Sequence, residues 1–243
     1  MTRQTWQERY TRRFYGPERG WVDGTTEFFR LCGDWIAPAG RILEVGPGPT
    51  NPTSAFLATL GELHGIDIDA DAANNRWLRQ CHVMVGDRFP VDDGSFDAVV
   101  SNYVCEHVKN PAAHLQEVAR ALRPGGTYIL RTPNLYHYVS QVSLRTPFWF
   151  HRLVANRLRN HAADHHDPYP TFYAMNSVKR LSELAADAGL TVRVARLVEK
   201  EPSYGLSARP LFLAFMGYER LVNSTDKLGF LRSNIFAVLQ KPQ

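Results

Sequence analysis

The sequence predicts an α/β fold: a seven-stranded, mostly parallel sheet with helices on both faces. Three observations lead there. From Arg41 onward, apolar runs of strand length alternate with helical patterns, the signature of a parallel sheet covered by helices. The first run, "RILEVGPGPTNP" (Arg41 to Pro52), passes directly into a Gly-Pro loop. Acidic residues, Asp67 and Asp87, then stand at the ends expected for the next two strands.

Taken in order, "RILEVG" reads as strand 1, "SAFLATL" as a short helix and "ELHGIDID" as strand 2. A helix is expected over "DAANNRWLRQ", then "HVMVGD" as strand 3 and "FDAVVSNYV" as strand 4. "PAAHLQEVARAL" begins with a proline suited to a first helical turn, and Leu115, Val118, Ala119 and Leu122 recur every three or four residues. "RPGG" should stop that helix before strand 5, "TYILRTPN". An insertion at about 135–175 holds most of the histidines and an aromatic cluster. Asn176 or Ser177 then caps a helix with the stripe Leu181, Leu184, Ala185, Ala188, closed by Gly189. "TVRVARLVE" gives strand 6, a further helix is expected from Ala208 to Val222, and "SNIFAVLQK" is the closing strand. The expected organisation is an N-terminal helical cap over 1–40 and one domain over 41–243.

A chain of 243 residues with 44% hydrophobic content can bury a substantial core. Lys plus Arg at 28 against Asp plus Glu at 24 gives +4, a mild bias that does not by itself argue for nucleic acid. Cys32, Cys81 and Cys105 are widely spaced with no C-x-x-C pair, so neither a disulfide framework nor a zinc site is suggested and no metal is expected. The start, "MTRQTWQERYTRRF", lacks the apolar core of a signal peptide, and "LFLAFM" is far shorter than a bilayer span. The expectation is a soluble, cytoplasmic protein that could still touch a membrane surface.

The Gly-Pro loop decides what kind of nucleotide is in question. A dinucleotide fingerprint needs G-x-G-x-x-G directly after a strand, so that backbone amides reach a pyrophosphate. Gly46 and Gly48 fit, but Asn51 holds the third position, and Pro47, Pro49 and Pro52 remove three amide donors. A phosphate-bearing ligand loses much of its cradle. A nucleoside without phosphates needs close backbone approach at the glycines and acids at later strand ends. Asp67 can accept from both ribose hydroxyls, and Asp87 is within reach of an adenine amino group.

"LEVGPGP", "GIDID", "GDRFPVDDGSFDAVVSNYVCEHV" and "ALRPGGTYILRTPN" resemble the successive motifs of class I S-adenosylmethionine (SAM)-dependent methyltransferases, of the type that includes quinone-biosynthesis and natural-product enzymes. The resemblance runs from about Arg41 to Asn134 and continues more weakly to the closing strand. It implies a Rossmann-like fold and SAM as cofactor. Glu44, Gly46 and Gly48 then match the glycine motif around the methionine part of SAM. Asp67, with Ile68 beside it, matches the ribose acid. Asp87, with Arg88 next to it, matches the adenine contact, and Asn102 the position near the SAM amino group. Thr50 stands where the family often has a third glycine, which leaves the loop geometry open.

Methyl transfer from a sulfonium is an in-line displacement that needs the nucleophile within about 3–3.5 Å. A hydroxyl acceptor also benefits from a base, and histidine suits that role at neutral pH. Among the nine histidines, His107 follows strand 4, His137 follows strand 5, and His166 sits in "ADHHDPYP", where His165 and Asp167 flank it. A plain polar role competes for each. A metal reading of the His165, His166, Asp167 cluster with His161 and Asp164 is weaker.

In "TPFWFHRLVANRLRNH", Phe150, Leu153, Val154 and Leu158 share one helical face opposite Arg152, Asn156 and Arg159. Such a helix packs in a core, covers an apolar acceptor or contacts a membrane surface. Leu211, Phe215, Tyr218 and Val222 add a second apolar face. The expected activity is transfer of a methyl group to a small, partly hydrophobic molecule, most readily at a hydroxyl oxygen, with nitrogen and carbon acceptors open. The rivals are an RNA or protein methyltransferase, a SAM-binding module without catalysis, and an NAD oxidoreductase.

Overall fold

The computed structural model describes residues 5–146 and 169–243. In chain order the helices and strands are α1 (Trp6–Tyr15), α2 (Gly24–Trp35), β1 (Arg41–Val45), α3 (Pro52–Leu57), β2 (Glu62–Asp67), β3 (Gln80–Val83) and β4 (Phe96–Asn102). There follow α4 (Pro111–Ala121), β5 (Leu122–Pro133), α5 (Tyr138–Arg145), α6 (Val178–Asp187), β6 (Thr191–Val198), α7 (Arg209–Asn223) and β7 (Asn234–Gln240). The chain divides into two compact units, one comprising residues 28–135, 171–196 and 234–243. The described residues of the other are 5–27, 136–146, 169–170 and 197–233.

The strands form one seven-stranded sheet in the order β3-β2-β1-β4-β5-β7-β6. β1 runs parallel to β2 and β4, β2 to β3 and β4 to β5, whereas β7 is antiparallel to β5. The inner strands are continuous apolar runs because both of their faces are covered: Ile42, Leu43, Val99, Val100, Ile129, Leu130, Phe236 and Val238 are all buried. Since β1 has β2 on one side and β4 on the other, the strand order reverses at β1. Open α/β sheets bind ligands at the carboxyl ends of the strands flanking such a reversal.

Four local expectations are corrected. Strand 3 ends at Val83, not Asp87, because its partner strand ends at Asp67; Met84 N–H donates to Asp67 O at 2.7 Å and the chain turns away at Gly86, φ +72. "DAANNRWLRQ" forms no α-helix but a single 3₁₀ turn, Ala70–Asn74. The Asn75 side chain, bonded to Gly48 O at 3.1 Å and Ser54 Oγ at 2.9 Å, draws the backbone out of helical geometry. "RPGG" lies inside β5 as a bulge, since the pairing jumps from Phe96↔Leu122 to Ala98↔Thr127. Gly125, at φ +79, donates its N–H to Lys241 O at 3.0 Å and so lets the strand resume. α3 starts at Pro52 and not Ser54, because Asn51 caps it through Ser54 N–H at 2.8 Å. At α6 the cap is Ser177, whose Oγ accepts from Arg180 N–H at 3.2 Å.

In the second unit, Thr5 and Glu8 form a capping box at the start of α1. The rings of Trp6, Tyr10, Phe14 and Tyr15 surround Phe212 of α7 at centroid distances of 5.8 to 6.4 Å, a spacing typical of edge-to-face aromatic packing. Tyr138 of α5 stacks on Phe215 at 5.2 Å. His166, its neighbours His161, Asp164, His165 and Asp167, and the amphipathic stretch over 150–159 lie outside the described residues.

Candidate cofactor site at the carboxyl edge of the sheet

The loop after β1 is shaped by two glycines in left-handed conformations. Gly46 has φ +70, and its N–H donates to Ile66 O at 2.8 Å; a Cβ there would lie 2.7 Å from Val104 Cγ2. Gly48 has φ +58, and its N–H donates to Asp67 Oδ2 at 2.9 Å. With these two amides engaged and prolines at 47, 49 and 52, the loop is a poor phosphate cradle. Asn51 closes the turn, its Nδ2 donating to Pro47 O and, at 3.4 Å, to Glu44 Oε1.

Asp67 ends β2 with one carboxylate oxygen on Gly48 N–H and the other on Asp69 N–H, both at 2.9 Å. An ionised carboxylate has about four acceptor positions, so two remain for a pair of hydroxyls. Past the paired strand ends, Ile68 is 56% and Val85 88% exposed, an apolar surface of the kind that packs on an aromatic base. Asp87 is exposed four residues beyond β3, held through Asn110 Nδ2–H at 3.1 Å, and Arg88 beside it is exposed as well.

Glu44 is buried on β1, with Ser54 Oγ–H donating to its Oε2 at 2.6 Å. Burial pushes its carboxyl up to about 7, opposed by the bonds from Ser54 and Asn51 and reinforced by the charge of Asp67. Asn102, the last residue of β4, donates from Nδ2 to Thr53 Oγ1 at 2.9 Å. Its Oδ1 is buried without a hydrogen-bond partner among the described residues. A buried acceptor left bare costs about 1–3 kcal/mol. Tyr103 follows at φ +59, a backbone strain of the type concentrated at functional sites. It is held by its N–H to Arg131 O at 2.8 Å and its hydroxyl to Asn234 Oδ1 at 2.9 Å.

The candidate bases separate by environment. His107 belongs to the same unit as the glycine loop, on a 3₁₀ turn just past β4, with its side chain 32% exposed and Nε2 4.0 Å from Glu106 Oε1. His137 belongs to the other unit and is buried. Its Nε2 is 3.7 Å from Glu199 Oε2 with no hydrogen bond, and burial lowers it to about 4 while burial raises Glu199 to about 8. A buried imidazole that resists protonation is a poor proton acceptor. The sequence reading missed Asn75 and Glu106. Asn75 ties the Gly48 loop to α3, and nothing in its local pattern signals this. Among the described residues no group of three or more His, Cys, Asp or Glu could hold a metal ion.

The doubly wound sheet with an antiparallel β7, the glycine loop after β1 and the acid ending β2 form the arrangement that the resemblance to class I SAM-dependent methyltransferases implies. Residues 43–130 match the family described as methyltransferase domain. The demethylmenaquinone methyltransferase of Mycolicibacterium gilvum (strain PYR-GCK) is 29% identical over 117 residues, 47% of this chain and 49% of the relative. An uncharacterized methyltransferase of Mycobacterium sp. (strain JLS) is 35% identical over 102 residues, 38% and 39% of the two chains. The chain thus spans about half or less of the length of these curated relatives. A chain in the complex between the Haloferax volcanii Trm112 methyltransferase activator and a methyltransferase superposes with TM-score 0.60 at 18% identity, covering 97% of this chain and 95% of that one. The geranyl diphosphate C-methyltransferase of Streptomyces coelicolor A3(2), solved with S-adenosyl-L-homocysteine, superposes with TM-score 0.55 at 16% identity, covering 89% and 79%. At these identities the structural likeness is one of fold.

Proposed function

We propose that the protein transfers the methyl group of SAM to a small, partly hydrophobic acceptor at a hydroxyl oxygen, with His107 as the base. One observation carries the cofactor assignment: the carboxyl edge of β1, β2 and β4 presents acceptors, not phosphate donors. Asp67 suits two ribose hydroxyls, Asn102 Oδ1 suits an ammonium, and Ile68 and Val85 suit an adenine face, with Asp87 for its amino group. When bound, SAM supplies a methyl group activated by its sulfonium. His107 takes the acceptor proton and, being half-exposed, returns it to solvent. An apolar acceptor accords with the relative named for demethylmenaquinone and the neighbour named for geranyl diphosphate. Among the described residues no helix is long and apolar enough to cross a membrane, and a peripheral contact stays part of the proposal. The free thiols of Cys32, Cys81 and Cys105 accord with a reducing, cytoplasmic setting.

The test is transfer of a deuterated methyl group from SAM to phenols, quinols, long-chain alcohols and amines, followed by mass spectrometry. The expected result is O-methylation of a phenol, quinol or alcohol, with kcat falling roughly 10²-fold or more in His107→Ala. Transfer only to nitrogen or carbon, or an unchanged kcat, would contradict it.

Glu44 adds a pH signature. A cationic ligand favours the ionised carboxylate, whose fraction with a value of about 7 rises from roughly a tenth at pH 6 to roughly nine tenths at pH 8. SAM affinity should therefore rise with pH, by up to about tenfold over that range. Glu44→Gln should flatten the rise, and an equal rise in the variant would exclude Glu44 as its source.

A further inference from the structure

Glu106 is a buried acid that neither the glycine loop nor the ribose acid uses, and it sits in a directed hydrogen-bond chain. Asn176 Nδ2–H, at the start of α6, donates to Thr132 Oγ1 at 2.7 Å. Thr132 Oγ1–H, on β5, donates to Glu106 Oε2 at 3.1 Å. The other carboxylate oxygen, Oε1, faces His107 Nε2 at 4.0 Å. The backbone around Glu106 is fixed as well, since its carbonyl accepts from Phe172 N–H at 2.7 Å and Tyr173 N–H at 3.2 Å. Thr132 thus holds the carboxyl group and Asn176 holds Thr132, two positions far from Glu106 in sequence, and both donors point toward it.

We propose that Glu106 is a positioning residue for the reaction: held by Thr132 and Asn176, it places a negative charge opposite His107 and balances the imidazolium formed when the acceptor hydroxyl is deprotonated. The inference rests on the O-methylation reading above. In the step it serves, the acceptor O–H bond breaks and an N–H bond forms on the His107 ring, whose Nε2 lies 4.0 Å from Oε1 of Glu106. The proton then leaves the half-buried ring for solvent. Burial raises the Glu106 carboxyl above its ordinary range, while its own backbone N–H, His107, Thr132 and the Arg131 guanidinium pull it down. Its charge is costly alone and favoured beside a cation. The titratable groups around it are His107 and Cys105 on its own turn and Arg131 and Tyr128 on β5.

The test compares native protein, Glu106→Gln and Glu106→Asp, with SAM and the phenol, quinol or alcohol that turns over. Glu106→Gln keeps an oxygen for Thr132 but removes the charge. Its kcat should fall roughly 10- to 100-fold with the KM for SAM within about twofold. Glu106→Asp, which keeps the charge, should recover most of the lost kcat. Native turnover in Glu106→Gln, or an equal loss of kcat in Glu106→Asp, overturns the inference alone. A native protein that methylates no hydroxyl overturns it together with the reading on which it rests.

Discussion

Asp67→Ala should weaken SAM binding by roughly 10²- to 10³-fold. Each hydrogen bond to a charged group contributes about 1.5–3 kcal/mol, and the side chain has room for two such bonds beyond those it accepts from Gly48 and Asp69. Losing both costs about 3–4 kcal/mol or more, and about 1.4 kcal/mol corresponds to tenfold. The same substitution releases the Gly48 amide, so part of the loss comes from a loosened loop. Asp67→Asn separates the two contributions. It keeps an acceptor for Gly48 while removing the charge, and its affinity should fall between native and alanine. Calorimetric titration measures both, and an affinity unchanged in Asp67→Ala would remove the ribose-acid assignment.

Gly46→Ala should lower stability by about 2–5 kcal/mol. A left-handed residue other than glycine costs about 1–2 kcal/mol, and forcing a Cβ to 2.7 Å from Val104 Cγ2 adds about 1–3 kcal/mol of overpacking. Against a total of about 5–15 kcal/mol this is a large fraction. Gly48 is the control. It shares the positive φ but has nothing within 4 Å of the added Cβ, so Gly48→Ala should cost only about the first 1–2 kcal/mol. Val104→Ala combined with Gly46→Ala should recover the steric part and leave the conformational part, an interaction visible in a double-mutant cycle by urea denaturation. Equal losses at Gly46 and Gly48 would mean that Val104 does not set the width of the loop.

The sheet was legible in the sequence where burial on both faces made strands into unbroken apolar runs, as in β1, β4 and β5. The edge was harder to read. Met84 and Val85 continue the apolar pattern of strand 3, yet Val85 is 88% exposed, because strand length is set by the partner ending at Asp67 and not by hydrophobicity. The turn at Gly46 and Gly48 and the place of Asp67 at the end of β2 could be read because their spacing is local. Asn75 and the chain from Asn176 through Thr132 to Glu106 could not, since ordinary polar residues acquire meaning only when the fold brings distant segments together. The histidines show the same limit. His107 and His137 look alike in sequence, and only their burial separates a half-exposed ring from one held neutral.

The most direct measurement is isothermal titration of the native protein with SAM, with S-adenosylhomocysteine and with NAD. Saturable binding of the first two at micromolar concentration, with no signal from NAD, is the predicted result. Binding of NAD in preference to the two adenosyl compounds would contradict the reading of the Gly-Pro loop as a site for a nucleoside without phosphates.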